Sequence, residues 1–268
     1  MQFYRNLIGL LVAMIVALSA VADDADSATD PAVKGLEIAE EMKARDRGWG
    51  DSTAHLEMQL FDKDTLLATR EMRLKNLEVL DDGDKSLTIF DTPRDVQGTA
   101  FLSFTHVLEP DEQWLYLPAL KRVKQISSKN KTSPFMGSEF SYEDLNSFEV
   151  PRYDYRWLRD EMFDGQDCFV VEARSKDPYT GYSREVVWVD KAEYRPLKVE
   201  YYDRRQQHLK TLIYSDYQRY LDRHWRASLQ TMTNHLNGNR TEVRLTGYRF
   251  QTGLSDTDFS QNSLKRAR

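Results

Sequence analysis

Apolar residues change their period once along the chain. From Pro31 to Arg45 they fall at Val33, Leu36, Ile38, Ala39 and Met42, a helical spacing, with Asp30 placed to cap the N-terminus and Pro31 in the first turn. This predicts one amphipathic helix. After Gly48-Trp49-Gly50 the period becomes two: Ala54, Leu56, Met58 and Leu60 alternate with His55, Glu57 and Gln59. The alternation returns in Phe169, Val171 and Ala173, in Leu197, Val199 and Tyr201, and in Trp225, Ala227 and Leu229. Turn-forming groups punctuate it at Asp62-Lys63-Asp64, Asp81-Asp82-Gly83-Asp84, Glu109-Pro110-Asp111, Asp164-Gly165, Lys176-Asp177-Pro178, Asp203-Arg204-Arg205 and Asn237-Gly238-Asn239. The intervals are mostly of strand length. They predict a meander of about ten or more antiparallel strands, without crossover helices and with a tendency to curl.

Two stretches depart from that rhythm. Leu7 to Leu18 is an unbroken apolar run after a charged start, and Ser19-Ala20-Val21-Ala22 follows it before Asp23-Asp24. This is the layout of an export signal cleaved near Ala22; the run is shorter than the ~20 residues that span a bilayer. No cysteine follows to take a lipid, so the expected product is free in the periplasm, with residues 23–268 forming a single domain. The second departure is Ser127 to Pro151, irregular and long. Phe135 and Met136 in it are either part of a lid over an open sheet end or a plug in the core edge.

The strand faces exclude an outer-membrane barrel, which needs a lipid-facing apolar row on every strand. Arg70, Glu71, Arg73 and Lys75 crowd one strand, and Arg152, Asp154, Arg156 and Asp160 another. One apolar and one charged face describe a half-barrel or calyx in water. The formal charge of -6 argues against nucleic acid as a partner. With one cysteine, Cys168, no internal disulfide can form, and its neighbours Phe169-Val170-Val171 suggest a buried strand thiol.

No constellation for catalysis emerges. His55, His106, His208, His224 and His235 lack metal-ligand spacing, and no nucleophile elbow, phosphate loop or dinucleotide fingerprint is present. Asp81, Asp82 and Asp84 lack the spacing of a calcium loop and read as turn chemistry. No metal or cofactor is expected. Two features are more informative. The apolar run Trp114 to Leu120 is followed by Lys121, Arg122 and Lys124, then Lys129 and Lys131. Such a basic patch suits a lipid headgroup, an anionic membrane surface or a partner; a lysine-protected sheet edge is the competing reading. The supply of methionine and aromatic residues suits either a filled core or a cavity for acyl chains.

Four blocks carry a resemblance. They are Leu36 to Glu41 with Arg45 to Asp51 (Arg-Asp-Arg-Gly-Trp-Gly-Asp), Pro93 to Ala100 (Pro-Arg-Asp-Val-Gln-Gly-Thr-Ala), Gln113 to Val123, and Phe135 to Leu145 (Phe-Met-Gly-Ser-Glu-Phe-Ser-Tyr-Glu-Asp-Leu). The chain resembles the outer-membrane lipoprotein-sorting proteins of Gram-negative bacteria, in a long branch associated with resistance-nodulation-division (RND) exporters. The resemblance implies a LolA/LolB-like fold: a mainly β, strongly curved antiparallel half-barrel with an N-terminal helix and a lid segment. It implies a non-catalytic periplasmic carrier of a lipid or lipoprotein acyl chain, or alternatively an adaptor subunit of an inner-membrane RND-type exporter. A hydrolase acting on lipids is a weaker alternative. The cavity and lid are then expected from Met58, Leu60, Met72, Phe101, Phe104, Trp114, Tyr116, Phe135, Met136, Phe140, Trp157, Trp188 and Trp225, and headgroup or partner contact from Lys121, Arg122 and Lys124.

Overall fold

The computed structural model describes residues 29–266, so the export signal expected over 1–22 lies outside the described residues. Helix α1 (Pro31–Asp46) opens on Asp30, whose Oδ1 accepts from the Ala32 amide at 2.8 Å. Its buried stripe is Gly35, Ile38 and Ala39, whereas Val33 and Leu36 are exposed. The stripe is thus rotated from the expected one. The cause is Gly35, where a Cβ would lie 2.7 Å from the Trp157 amide nitrogen; only glycine lets the helix rest directly on strand backbone.

Thirteen strands follow: β1 (Asp51–Asp62), β2 (Thr65–Leu77), β3 (Lys85–Thr92), β4 (Ala100–Phe104), β5 (Glu112–Leu117), β6 (Arg122–Ile126), β7 (Tyr153–Phe163), β8 (Gln166–Ser175), β9 (Tyr182–Asp190), β10 (Pro196–Asp203), β11 (His208–Tyr220), β12 (His224–Asn234) and β13 (Arg240–Phe250). All belong to one antiparallel sheet in the order β6-β5-β4-β3-β2-β1-β13-β12-β11-β10-β9-β8-β7. The chain therefore runs from the middle of the sheet to the β6 edge, crosses to the β7 edge, and returns to pair β13 with β1. The edges do not meet, which makes the sheet the expected open, curved half-barrel. The expected turns fall between strands. At Asp164-Gly165 both residues have positive φ (48° and 76°), as a tight two-residue hairpin requires.

Alternation divides each half of the sheet between two faces. On the inner face Met58, Met72, Phe90, Phe101, Leu115, Met232 and Val243 form the largest core cluster. On the other face of β3–β5, Leu87, Ile89, Leu102 and Trp114 are covered by Phe259 and by Leu264 of the short C-terminal helix α2 (Gln261–Arg266). Beneath α1 lie Tyr155, Val171, Ala173 and Val189. Cys168, Val170, Val186, Trp188 and Leu197 form a further cluster, and the Cys168 thiol is fully buried, as its neighbours suggested.

Candidate binding cavity

The segment from Ser127 to Arg152 joins the two unpaired edges and lies across the inner face. Phe135, Phe140 and Tyr142 bury their rings in the main core, with Met136 partly buried beside them. Phe135 sits 5.2 Å from Phe101 and 5.5 Å from Tyr142, ring centre to ring centre. Polar bonds pin the segment along its length. Lys131 pairs with Asp177, and Arg152 with Asp111. Glu143 accepts from Thr180 Oγ1 at 2.9 Å and from the Gly181 amide at 3.0 Å. Asp144 accepts from Tyr182 Oη at 2.7 Å and from Lys210 Nζ at 2.5 Å. In this structure the aromatic residues of the segment plug the β1–β5 half of the barrel.

The part of the inner face from β7 to β13 beneath α1 is left open. A cavity of about 680 Å³ lies there, a size typical of small-ligand sites. Ile38, Ala39 and Met42 of α1 roof it. Val171, Ala173, Val187, Val189 and Val199 give it an aliphatic floor, and Tyr153, Tyr155, Tyr182, Tyr201, Tyr214, Tyr217 and Tyr248 line it with rings bearing hydroxyls. Arg195, Arg219, Arg223 and Arg226 also border it. Glu185 stands among these groups on β9, in phase with Val187 and Val189.

Burial pushes the Glu185 carboxyl up to about 8, reinforced by the charges of Asp144 and Glu143. Glu143 is raised for the same reasons, burial first and Asp144 second. The Tyr153 hydroxyl is raised by the nearby Glu185 charge and by burial. Tyr155 Oη is buried and has no hydrogen-bond partner among the described residues.

Most of the aromatic and methionine side chains chosen from sequence lie elsewhere. Trp225 alone among them lines the cavity, its Nε1 donating to Glu193 Oε2 at 3.1 Å. Met58, Leu60, Met72, Phe101, Phe135 and Phe140 are packed core, and Met136 packs against it. Phe104, Trp114 and Tyr116 belong to the cluster under the C-terminal residues, on the opposite sheet face. Trp157 lies under Lys34, whose Nζ is 3.4 Å from the ring centre, and Trp188 lies under Lys198 at the same distance. Alternation explains this: it assigns side chains to faces without saying which face is already filled.

Lys121, Arg122 and Lys124 are exposed at edge strand β6 or just before it. Lys131, the last cation of the basic stretch, is buried in its ion pairs instead. Asp82 and Asp84 are engaged in loop bonding, Asp82 with His106 Nδ1 at 2.6 Å and Asp84 with the Val79 amide at 3.2 Å. The fold also joins two histidines that sequence kept apart: His208 and His235 lie 4.2 Å apart, ring centre to ring centre, with both Nε2 atoms on Thr211 Oγ1. No third ligating side chain joins them among the described residues.

The fold is shared with solved structures. A LolA superfamily protein from Nitrosomonas europaea matches with a TM-score of 0.67 at 19% identity, over 85% of this chain and 98% of that one, which places the fold in the LolA class. Within that class, the chain is similar to an outer membrane lipoprotein-sorting protein domain from Vibrio parahaemolyticus (60% identity, TM-score 0.86, 88% of this chain and 100% of that one). It is also similar to a DUF1329 family protein from Desulfovibrio piger (31% identity, TM-score 0.83, 88% and 100%). A family model described as "Uncharacterized protein" matches residues 82–266, and none of the curated proteins matches. The chain belongs to the DUF1329 family, and it shares its fold with the LolA superfamily protein.

Proposed function

We propose that residues 23–268 act as a single periplasmic carrier domain that holds a lipid or lipoprotein acyl chain in the cavity beneath α1. The observation that carries this reading is the cavity itself: about 680 Å³ on the inner face of an open half-barrel, with an aliphatic floor and a helix for a roof. Each methylene taken out of water contributes about 0.8 kcal/mol, so a single chain supplies enough affinity without any covalent step. The relationship to a lipoprotein-sorting domain supports both the periplasmic address and the ligand class. The exposed cations Lys121, Arg122 and Lys124 at the β6 edge suit contact with an anionic membrane surface during loading or release. An RND-type exporter remains the protein partner implied by the resemblance.

The test is lipid content. Protein released from periplasm under mild conditions is expected to yield copurifying acyl lipid on extraction and mass spectrometry, and to bind a fluorescent fatty-acid probe that the lipid displaces. Lipid-free protein that also ignores the probe would overturn the carrier reading.

A further inference from the structure

Across the cavity wall, register aligns Tyr155 (β7), Ala173 (β8), Glu185 (β9), Tyr201 (β10) and Lys210 (β11) in one row. Directly paired residues share a face, so this row runs side by side along the inner surface. Ala173 and the open cavity leave Glu185 with space where its neighbours have packing. Among the described residues the Glu185 carboxyl makes no hydrogen bond or ion pair, although tyrosines surround it. Lys210 Nζ is committed to Asp144 Oδ2 at 2.5 Å and to the Glu139 carbonyl at 3.0 Å. Lys131 is committed to Asp177 and Glu143. Lys131 and Arg152 are shared among Glu143, Asp177 and Asp111, and Lys210 is taken by Asp144, so among the described residues no cation is left to pair with Glu185. Tyr155 also lines the cavity, while its Oη is buried out of reach of the open space.

We propose that this wall binds an ammonium group carried on an aliphatic chain, with Glu185 as counter-ion and the Tyr201 and Tyr214 rings around the cation. The proposal rests on the carrier reading for the chain and adds the chemistry of the head. Carboxylate plus aromatic rings is the combination that recognises organic cations, since ring faces attract positive charge where water is excluded. The cavity already holds one such contact: Lys210 Nζ stands 5.3 Å from the ring centres of both Tyr182 and Tyr201. Because burial keeps the Glu185 proton on up to about pH 8, the entering cation displaces that proton into solvent. The groups facing Glu185 are Tyr153 and Tyr155 of β7, Tyr201 of β10, Tyr214 and Lys210 of β11, and Glu143, Asp144 and Lys131 of the connecting segment.

The experiment is titration calorimetry of the delipidated chain with dodecylammonium, dodecanol, dodecanoate and ethylammonium, below micelle formation. At pH 8 dodecylammonium is expected to bind at least about tenfold tighter than dodecanol, with dodecanoate weakest. The preference should grow from pH 6 to pH 8 as proton release becomes easier. In Glu185→Gln the ratio of the two affinities should fall to about one; the amide is close in shape and removes an unpaired, partly buried acid, so the variant is expected to fold. Equal binding of dodecylammonium and dodecanol by the natural chain, or a preference that survives Glu185→Gln, overturns the ammonium site and leaves the carrier reading standing. Ethylammonium binding that needs Glu185, without any dodecanol binding, supports the ammonium site and overturns the carrier reading. Binding of none of the probes overturns both.

Discussion

Lys210 Nζ donates to Asp144 Oδ2 at 2.5 Å, and both side chains are almost wholly buried. The bond ties strand β11 to the segment that covers the inner face. Removing one partner of a buried pair leaves a charge without compensation, at a cost of about 3–5 kcal/mol. Lys210→Met is therefore expected to lower stability by that amount in urea unfolding, and Lys210→Met with Asp144→Leu to recover part of it. A loss under about 1 kcal/mol in the single variant would place the pair with surface ion pairs and remove it as the anchor of the segment.

Gly35 sets how closely α1 can lie on β7. In an exposed helix position alanine would stabilise by about 1 kcal/mol over glycine. Here the added Cβ meets the Trp157 amide nitrogen at 2.7 Å and Arg156 backbone atoms at 2.8 Å. Overlap with backbone cannot be relieved by a rotamer change, so Gly35→Ala is expected to cost about 1–3 kcal/mol net and to loosen the roof of the cavity. Chemical denaturation measures the first, and faster amide exchange in residues 31–46 the second. An unchanged or raised stability would mean that the helix shifts outward freely.

These two positions mark the limit of what was legible in the sequence. Helix α1, the strands and the turns could be read because 3.6-residue and two-residue periods are local properties, and Asp30 and Asp164-Gly165 carry their own capping and turn chemistry. The buried stripe of α1 could not, since Gly35 matters through its distance to another element. The cavity was hidden for a related reason. Phe101 and Val187 both point inward, yet Phe135 fills the space before the first while the space before the second stays open. Only the path of the 127–152 segment decides that. Glu185 had a faint signal, a carboxylate in the inward phase of an otherwise apolar strand, Glu185-Val186-Val187-Trp188-Val189.

The C-terminal residues are structural. Leu264 is fully buried against the cluster containing Leu87, Leu102 and Trp114. Leu264→Ala should cost about 2–4 kcal/mol through lost burial and a partly unfilled space. Its expected signature is a lower urea midpoint with ligand affinity preserved, because the cluster occupies the sheet face away from the cavity. A change in affinity comparable to that of cavity variants would contradict this separation.

Lys121, Arg122 and Lys124 are exposed and form no ion pair among the described residues, so their charge is available to a surface. Each cation near an anionic bilayer is worth about 1 kcal/mol, so reversing all three to Glu should weaken cosedimentation with anionic vesicles roughly a hundredfold or more. Added salt should reduce binding of the natural chain in the same assay. Vesicle binding that ignores both changes would assign membrane contact to another surface, or to none.

Acidity offers a separate handle on the cavity, through stability alone. The Glu185 carboxyl stands at about 8 in the folded chain against an ordinary 4.5. Between those values the unfolded chain releases the proton and the folded chain keeps it, so stability falls as pH rises through this window and levels off above about 8. Asp84, raised to about 6 by burial, adds a smaller fall at the acidic end of the same window. Asp51, Asp82 and Asp177 are lowered by their hydrogen bonds against the opposing effect of burial, and they act the other way, removing stability only below about pH 4. The difference between the natural chain and Glu185→Gln isolates the cavity group: their stabilities should diverge steadily from pH 5 to pH 8, with the glutamine variant ahead at the alkaline end. Since the cavity is open to water, the divergence should be smaller than the full proton-affinity difference implies, because solvent reaching the ionised carboxylate relieves part of its cost. Parallel curves across that range would mean that water solvates Glu185 completely, and the wall would then hold no unmet charge for a ligand to satisfy.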